Sequence, residues 1–126
     1  MADSSRTTTM KAQGYIGKIG RIDLSNRRVE EQELEEHTAR MFVGGSGLGA
    51  KFLIDETDAH TEAFGENNPL IFSTGPLTGS VLLNSNRFEA VTKSPLTGIF
   101  AESSGGGYWG ATLKRAGFDA LIITGK

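Results

Sequence analysis

Apolar and β-branched residues alternate with polar ones along "YIGKIGRIDL", and this predicts a strand that turns at Ser25-Asn26 into "RRVEEQEL", a hairpin. The period then lengthens. Leu34, Thr38, Met41 and Phe42 fall at i, i+4, i+7 and i+8, so "LEEHTARMF" is predicted as a short amphipathic helix that "GGSGLG" breaks. "GLGAKFLIDET" resumes as a second helix with Ser46 as its N-cap, and a polar loop runs on to Pro69. "PLIFSTG", "NRFEAVTKS" and "GIFAES" are predicted strands. Trp109, Leu113 and Ala116 mark a helix face closed by Gly117, with Lys114 and Arg115 in the last turn where cations suit the helix dipole. "FDALIITGK" is the final strand. The fold class is α+β, with short mixed or antiparallel β-sheets and a few short helices.

The tetrapeptide Pro-Leu-Thr-Gly occurs at Pro76–Gly79 and again at Pro95–Gly98. Proline presets φ for a turn and the glycine can take a left-handed conformation. Such corners either serve the fold alone or hold the strands between them in register beneath a ligand. "GGSGLGA" satisfies Gly45-x-Gly47-x-x-Ala50, the dinucleotide pattern, but a helix precedes it and no βαβ unit follows, so a break between helices explains it better. "Ser103-Ser104-Gly105-Gly106-Gly107-Tyr108" instead stands between a strand and a helix. Residues without side chains there form either a plain turn or a seat where backbone N–H groups converge on an anion. It is not a Walker A loop, since no Gly-Lys-Ser/Thr follows. Arg87, on the neighbouring predicted strand, either reaches solvent or clamps a phosphate beside that seat, with Lys93 as the second choice.

Composition narrows the classes. The sequence has 126 residues, about one domain, and a formal net charge of −2, which gives no reason to expect nucleic acid as a partner. With no cysteine it supplies no disulfide, no zinc–thiolate site and no thiolate ligand for an iron–sulfur cluster. No apolar run is long enough for a bilayer, and the polar start lacks a signal-peptide core, so a cytoplasmic protein is expected, with residues 1–13 as a disordered tail and 14–126 as one domain. His37 and His60 show no metal-ligand spacing.

"FSTGPLTG" and "RFEAVTKSPLTGIFAESSGGGYWGATLKRAGFDALIITGK", with "GKIGRIDLS", "GGSGLGAKFL" and "GENNPLIFSTGPLTG" upstream, resemble the N-terminal domain of the tungsten-containing aldehyde:ferredoxin oxidoreductase family from about Tyr15 to Lys126. The resemblance implies a base of two β-sheets on which a bis-pterin cofactor lies. In such enzymes the pterin dithiolenes hold tungsten or molybdenum, magnesium bridges the cofactor phosphates, and a nearby 4Fe-4S cluster passes electrons to ferredoxin as an aldehyde becomes a carboxylic acid. Position by position, Arg87 matches an arginine contacting the pterin. Ser104 stands where the family commonly has an asparagine whose main-chain carbonyl binds the magnesium. Gly106 matches a glycine whose backbone touches the cofactor. Gly105 replaces a serine, which implies a looser turn. The cofactor-binding set is therefore Arg87, Ser104, Gly105 and Gly106, with no catalytic side chain.

The resemblance also implies that the cluster ligands and substrate channel lie outside these residues. The chain is then expected to be a fragment or a small subunit working with the rest of an enzyme, inactive alone and prone to self-association. Two alternatives remain: a non-catalytic scaffold that keeps the fold without cofactor, and a family member acting on another low-potential substrate, such as an aromatic acyl-CoA reductase.

Overall fold

A computed structural model describes residues 11–126, so the first ten positions of the expected tail lie outside the described residues. The hairpin forms as the alternation predicts, from β1 (Lys18–Asp23) and β2 (Arg28–Glu33) in antiparallel register. Its turn is fixed by the Asp23 carboxylate, which accepts from the Asn26 backbone N–H (3.2 Å) and from its side-chain amide (2.7 Å). Helices α1 (Glu36–Phe42) and α2 (Gly45–Glu56) follow, then β3 (Leu70–Ser73), β4 (Phe88–Lys93), β5 (Phe100–Gly105), α3 (Trp109–Arg115) and β6 (Ala120–Thr124).

A single sheet of six strands in the order β2-β1-β6-β3-β4-β5 unites what the pattern presents as separate hairpins. β6 lies parallel to β1 and antiparallel to β3, and every other pairing is antiparallel. These residues therefore build one sheet, where the resemblance implies a base of two. Ile19, Ile71, Val91 and Ile122 point to one face, where Leu48, Phe52 and Leu53 of α2 close over them. Each fully buried aliphatic side chain there contributes on the order of 1.5–3 kcal/mol relative to exposure.

The glycines from Gly44 to Gly49 do more than break a helix. A Cβ on Gly49 would stand 2.7 Å from a methyl of Val91, so the missing side chain lets α2 lie directly on β4. The second helix starts one residue before the expected cap. Gly44 occupies the cap position without a side-chain bond, and Ser46 is already helical. In α1 the inward residue is Ala39, while Met41 is 63% exposed. Leu34 is buried as expected, but it sits ahead of the helix.

The opposite face carries Phe72 and Phe88, whose rings meet Trp109 at centroid distances of 5.1 and 4.6 Å. Lys114 stands in the last turn of α3, as expected. It is buried, donating to Asp119 Oδ1 (2.8 Å) and to the Gly14 carbonyl (2.6 Å). No helix among the described residues is long and apolar enough to cross a membrane.

Candidate functional site

The two Pro-Leu-Thr-Gly corners do different work at opposite ends of β4. In the first, the Thr78 hydroxyl accepts from the Gly75 N–H (3.0 Å) and donates to the Arg87 carbonyl (3.2 Å). Gly79, at φ +79°, donates its N–H to Asn86 Oδ1 (3.2 Å). The corner thus holds the chain where it enters β4. Gly110 of α3 packs directly over this anchor: a Cβ there would lie 3.0 Å from both the Asn86 carbonyl and the Thr78 methyl.

The second corner closes the β4–β5 hairpin, with Gly98 at φ +72° and Ser94 donating its N–H to the Ile99 carbonyl (2.8 Å). That bond fixes the phase of the ladder. Counting inward along the register, Ala101, Ser103 and Gly105 exchange bonds with β4, while Phe100, Glu102 and Ser104 turn their N–H and C=O away from it. β5 is an edge strand, so the outward groups of Ser104 face no partner strand.

This register places Ser104 diagonally across from Arg87 on one face. The Arg87 Nε–H donates to Ser104 Oγ at 2.9 Å. Asn84, Asn86, Arg87, Gly106, Gly107 and Tyr108 line an open cleft of about 500 Å3 beside them. Among the described residues, the amides of Gly106 and Gly107 find no hydrogen-bond acceptor. A Cβ on Gly106 would meet nothing within 4 Å, and Gly107 needs its φ of +83°. Backbone is therefore open to a ligand at Gly106 and Gly107. The structure thus brings together Arg87, Ser104 and Gly106.

Gly105 is a different case. Its N–H belongs to the ladder opposite Phe88, and a Cβ there would fall 2.6 Å from the Phe88 ring. Glycine at this position makes room for an aromatic ring; it does not loosen a turn. Lys93 lies apart from the cleft, its ammonium donating to the Thr61 carbonyl (2.8 Å) and the Ala59 carbonyl (3.3 Å) of the loop before β3. α3 has only seven residues, so the free loop amides rather than its dipole offer positive character. Sequence reasoning missed Thr78, whose identity as the hydroxyl inside a repeated corner was the available signal.

A somewhat larger cleft of about 570 Å3 opens beside β1 and the end of α2. Its walls include Asp23, Asp55, Glu56, Asp58 and Glu66. The Asn26 amide holds Asp23 below the usual carboxylate range, and the His60 backbone N–H does the same for Asp58. That cleft is negative at neutral pH and unsuited to an anion.

Comparison with known proteins identifies the family of the chain. The family model described as "Aldehyde ferredoxin oxidoreductase, N-terminal domain" matches residues 19–126. A tungsten-containing aldehyde ferredoxin oxidoreductase of Pyrococcus horikoshii is 46% identical over 113 residues, which cover 90% of this chain and 19% of the relative. The WOR-like subunit of an aliphatic sulfonate oxidoreductase from Pyrococcus furiosus is 37% identical, covering 89% of this chain and 18% of the relative. Among solved structures, the active site complex BamBC of benzoyl coenzyme A reductase with 1,5 dienoyl-CoA superposes with a TM-score of 0.88 at 34% identity, over 90% of this chain and 18% of that one. The chain thus spans less than a fifth of the length of each of these relatives. With the sheet, both corners and the glycine run all inside the matched region, the chain belongs to the aldehyde ferredoxin oxidoreductase N-terminal domain family.

Proposed function

We propose that this chain seats the phosphate-bearing tail of a tungsten (or molybdenum) bis-pterin cofactor, as part of a larger cytoplasmic enzyme that oxidises aldehydes to carboxylic acids with ferredoxin as electron acceptor. The observation that carries the reading is the 2.9 Å contact between Arg87 and Ser104 at the mouth of the glycine cleft. It gathers a fixed positive charge, free N–H donors and an outward carbonyl in one place. Such a donor set suits a polyanion and its bridging cation. It offers no thiolate or imidazole to a transition metal, in keeping with a metal held by the cofactor's own sulfurs.

In this reading the Arg87 guanidinium and the Gly106 amide bind phosphate oxygens, and the outward Ser104 carbonyl is a ligand to magnesium. Gly105 contributes by leaving the strand end bare beside Phe88. When bound, the cofactor would supply the redox chemistry of aldehyde oxidation, with the ligands of a 4Fe-4S relay lying outside these residues. The residues described here fix position and balance charge. The remainder of the enzyme, or a large subunit, supplies the cluster ligands and the substrate channel.

In the complete enzyme, Arg87→Ala should lower bound tungsten and pterin by roughly tenfold, the worth of one charge-assisted contact. Metal analysis and pterin release on folded protein would measure it; undiminished loading would sink the role given to Arg87, and wild-type enzyme free of tungsten and pterin would favour the scaffold without cofactor. A second reading keeps the cofactor and changes the substrate. The fold match to a benzoyl-CoA reductase complex supports an aromatic acyl-CoA reductase.

The isolated chain should also self-associate. Val81, Leu83 and Leu96 are 100%, 92% and 93% exposed, and the outer edge of β5 has no partner strand. Light scattering across a concentration series should show species above the monomer mass, reduced by Val81→Ser, Leu83→Ser and Leu96→Ser together. A wild-type chain that stays monomeric throughout would contradict this.

A further inference from the structure

Ser104 presents its N–H, its carbonyl and its hydroxyl at the cleft, and the family resemblance assigns work to only one of them, the carbonyl. The hydroxyl accepts the Arg87 Nε–H at 2.9 Å. We infer that the Ser104 hydroxyl is a positioning group for Arg87: by occupying Nε it holds the guanidinium in one orientation and leaves both terminal nitrogens free to take an anionic oxygen pair side by side. This deepens the proposed seating of the cofactor tail and rests on that reading.

The geometry supplies three restraints on one long side chain. The Thr78 hydroxyl fixes the Arg87 carbonyl (3.2 Å). The next residue, Phe88, packs at a tilt against Trp109 with ring centroids 4.6 Å apart, which fixes the direction in which β4 leaves. The Ser104 hydroxyl then fixes the far end of the side chain. Arg87 is exposed, so without this last contact its rotamers would be sampled freely and an anion would have to freeze them on binding. A guanidinium has five N–H donors in a rigid fork, and holding it through Nε leaves the two-nitrogen end intact for bidentate binding. No acidic side chain ion-pairs with Arg87 among the described residues, so its charge is not already spent within the fold.

The test titrates inorganic pyrophosphate into the full 126-residue chain and follows the Arg87 Nε–H resonance by NMR, with thermal melts confirming that each variant is folded. Pyrophosphate should shift this resonance in the wild type, and Arg87→Ala should abolish the saturable binding. Ser104→Ala should weaken binding by roughly three- to tenfold, the cost of freezing one long side chain at the moment of binding. It should also speed solvent exchange of the Nε–H, whereas Ser104→Thr, which keeps the hydroxyl, should restore both readouts. If Arg87→Ala abolishes binding but Ser104→Ala leaves affinity and Nε–H exchange unchanged, the positioning role is overturned while the anion seat stands. If Arg87→Ala binds pyrophosphate as the wild type does, both fall together.

Discussion

Replacing Asp119 with alanine is expected to destabilise the fold by about 3–5 kcal/mol, the range for removing one partner of a buried ion pair. Its carboxylate is 1% exposed and accepts from three groups: the Lys114 ammonium (2.8 Å), the Ile16 N–H (3.0 Å) and the Gly17 N–H (2.7 Å). Alanine would leave an ammonium without its counter-charge and two backbone donors without acceptors. The Asp119 backbone compounds the effect. Its N–H donates to the Lys18 carbonyl, and its own carbonyl accepts from the N–H and the hydroxyl of Thr74. Its side chain therefore braces the point where β1, β3 and β6 converge. Burial and the negative charge of Asp119 both push the Tyr15 hydroxyl up. Urea unfolding would measure the loss. Asp119→Asn, which keeps the shape but not the charge, should retain most of it, and adding Lys114→Met to Asp119→Asn should recover part of the stability by removing the stranded cation. A loss below about 1 kcal/mol for Asp119→Ala would show that the pair is not what holds this junction.

Gly44→Ala should cost about 1–3 kcal/mol, near the upper end, through overpacking alone. The backbone of Gly44 is extended (φ 168°), which alanine can adopt, so strain in the dihedral is not the cause. The added methyl would stand 2.7 Å from both the Gly75 Cα and the Thr74 carbonyl oxygen. Those atoms are backbone and cannot swing aside as a side-chain tip can. The same carbonyl accepts the Gly45 N–H (3.0 Å), so pushing the helix away also breaks its first contact with the sheet. Gly75 then leads into the corner whose Thr78 holds Arg87, so the damage should reach the cleft. Thermal unfolding would detect the first effect, and weaker pyrophosphate binding the second. An unchanged melting temperature would mean that α2 moves without cost, contrary to this packing.

Local structure was legible because it depends on near neighbours. The alternation in "YIGKIGRIDL", the turn at Ser25-Asn26 and the glycine after each proline corner all appear where the pattern puts them. The cleft was partly legible for the same reason: a hairpin closed at Pro95–Gly98 brings Ser104 back towards Arg87 almost by counting. What was hidden depends on distant partners. Lys114 reads as a helix-end cation, and only the arrival of Asp119 and Gly14 against it makes it interior. Ser46 reads as a cap, and only the backbone at Thr74 and Gly75 explains why a glycine takes that place. Gly105 reads as one of three equivalent glycines until the Phe88 ring is seen above it. The strand order was hidden as well, since nothing in "ALIIT" says which two strands it joins.

That last strand governs when the domain can come into being. Until Ala120–Thr124 leaves the ribosome, the early hairpin and the later three-strand meander have no shared partner, and the flanks of β1 and β3 stay bare. Synthesis thus passes through a stage at which the other five strands exist and the native sheet cannot, with strand edges that a chaperone or a neighbouring nascent chain can reach. Formation of the sheet is timed by the arrival of five residues.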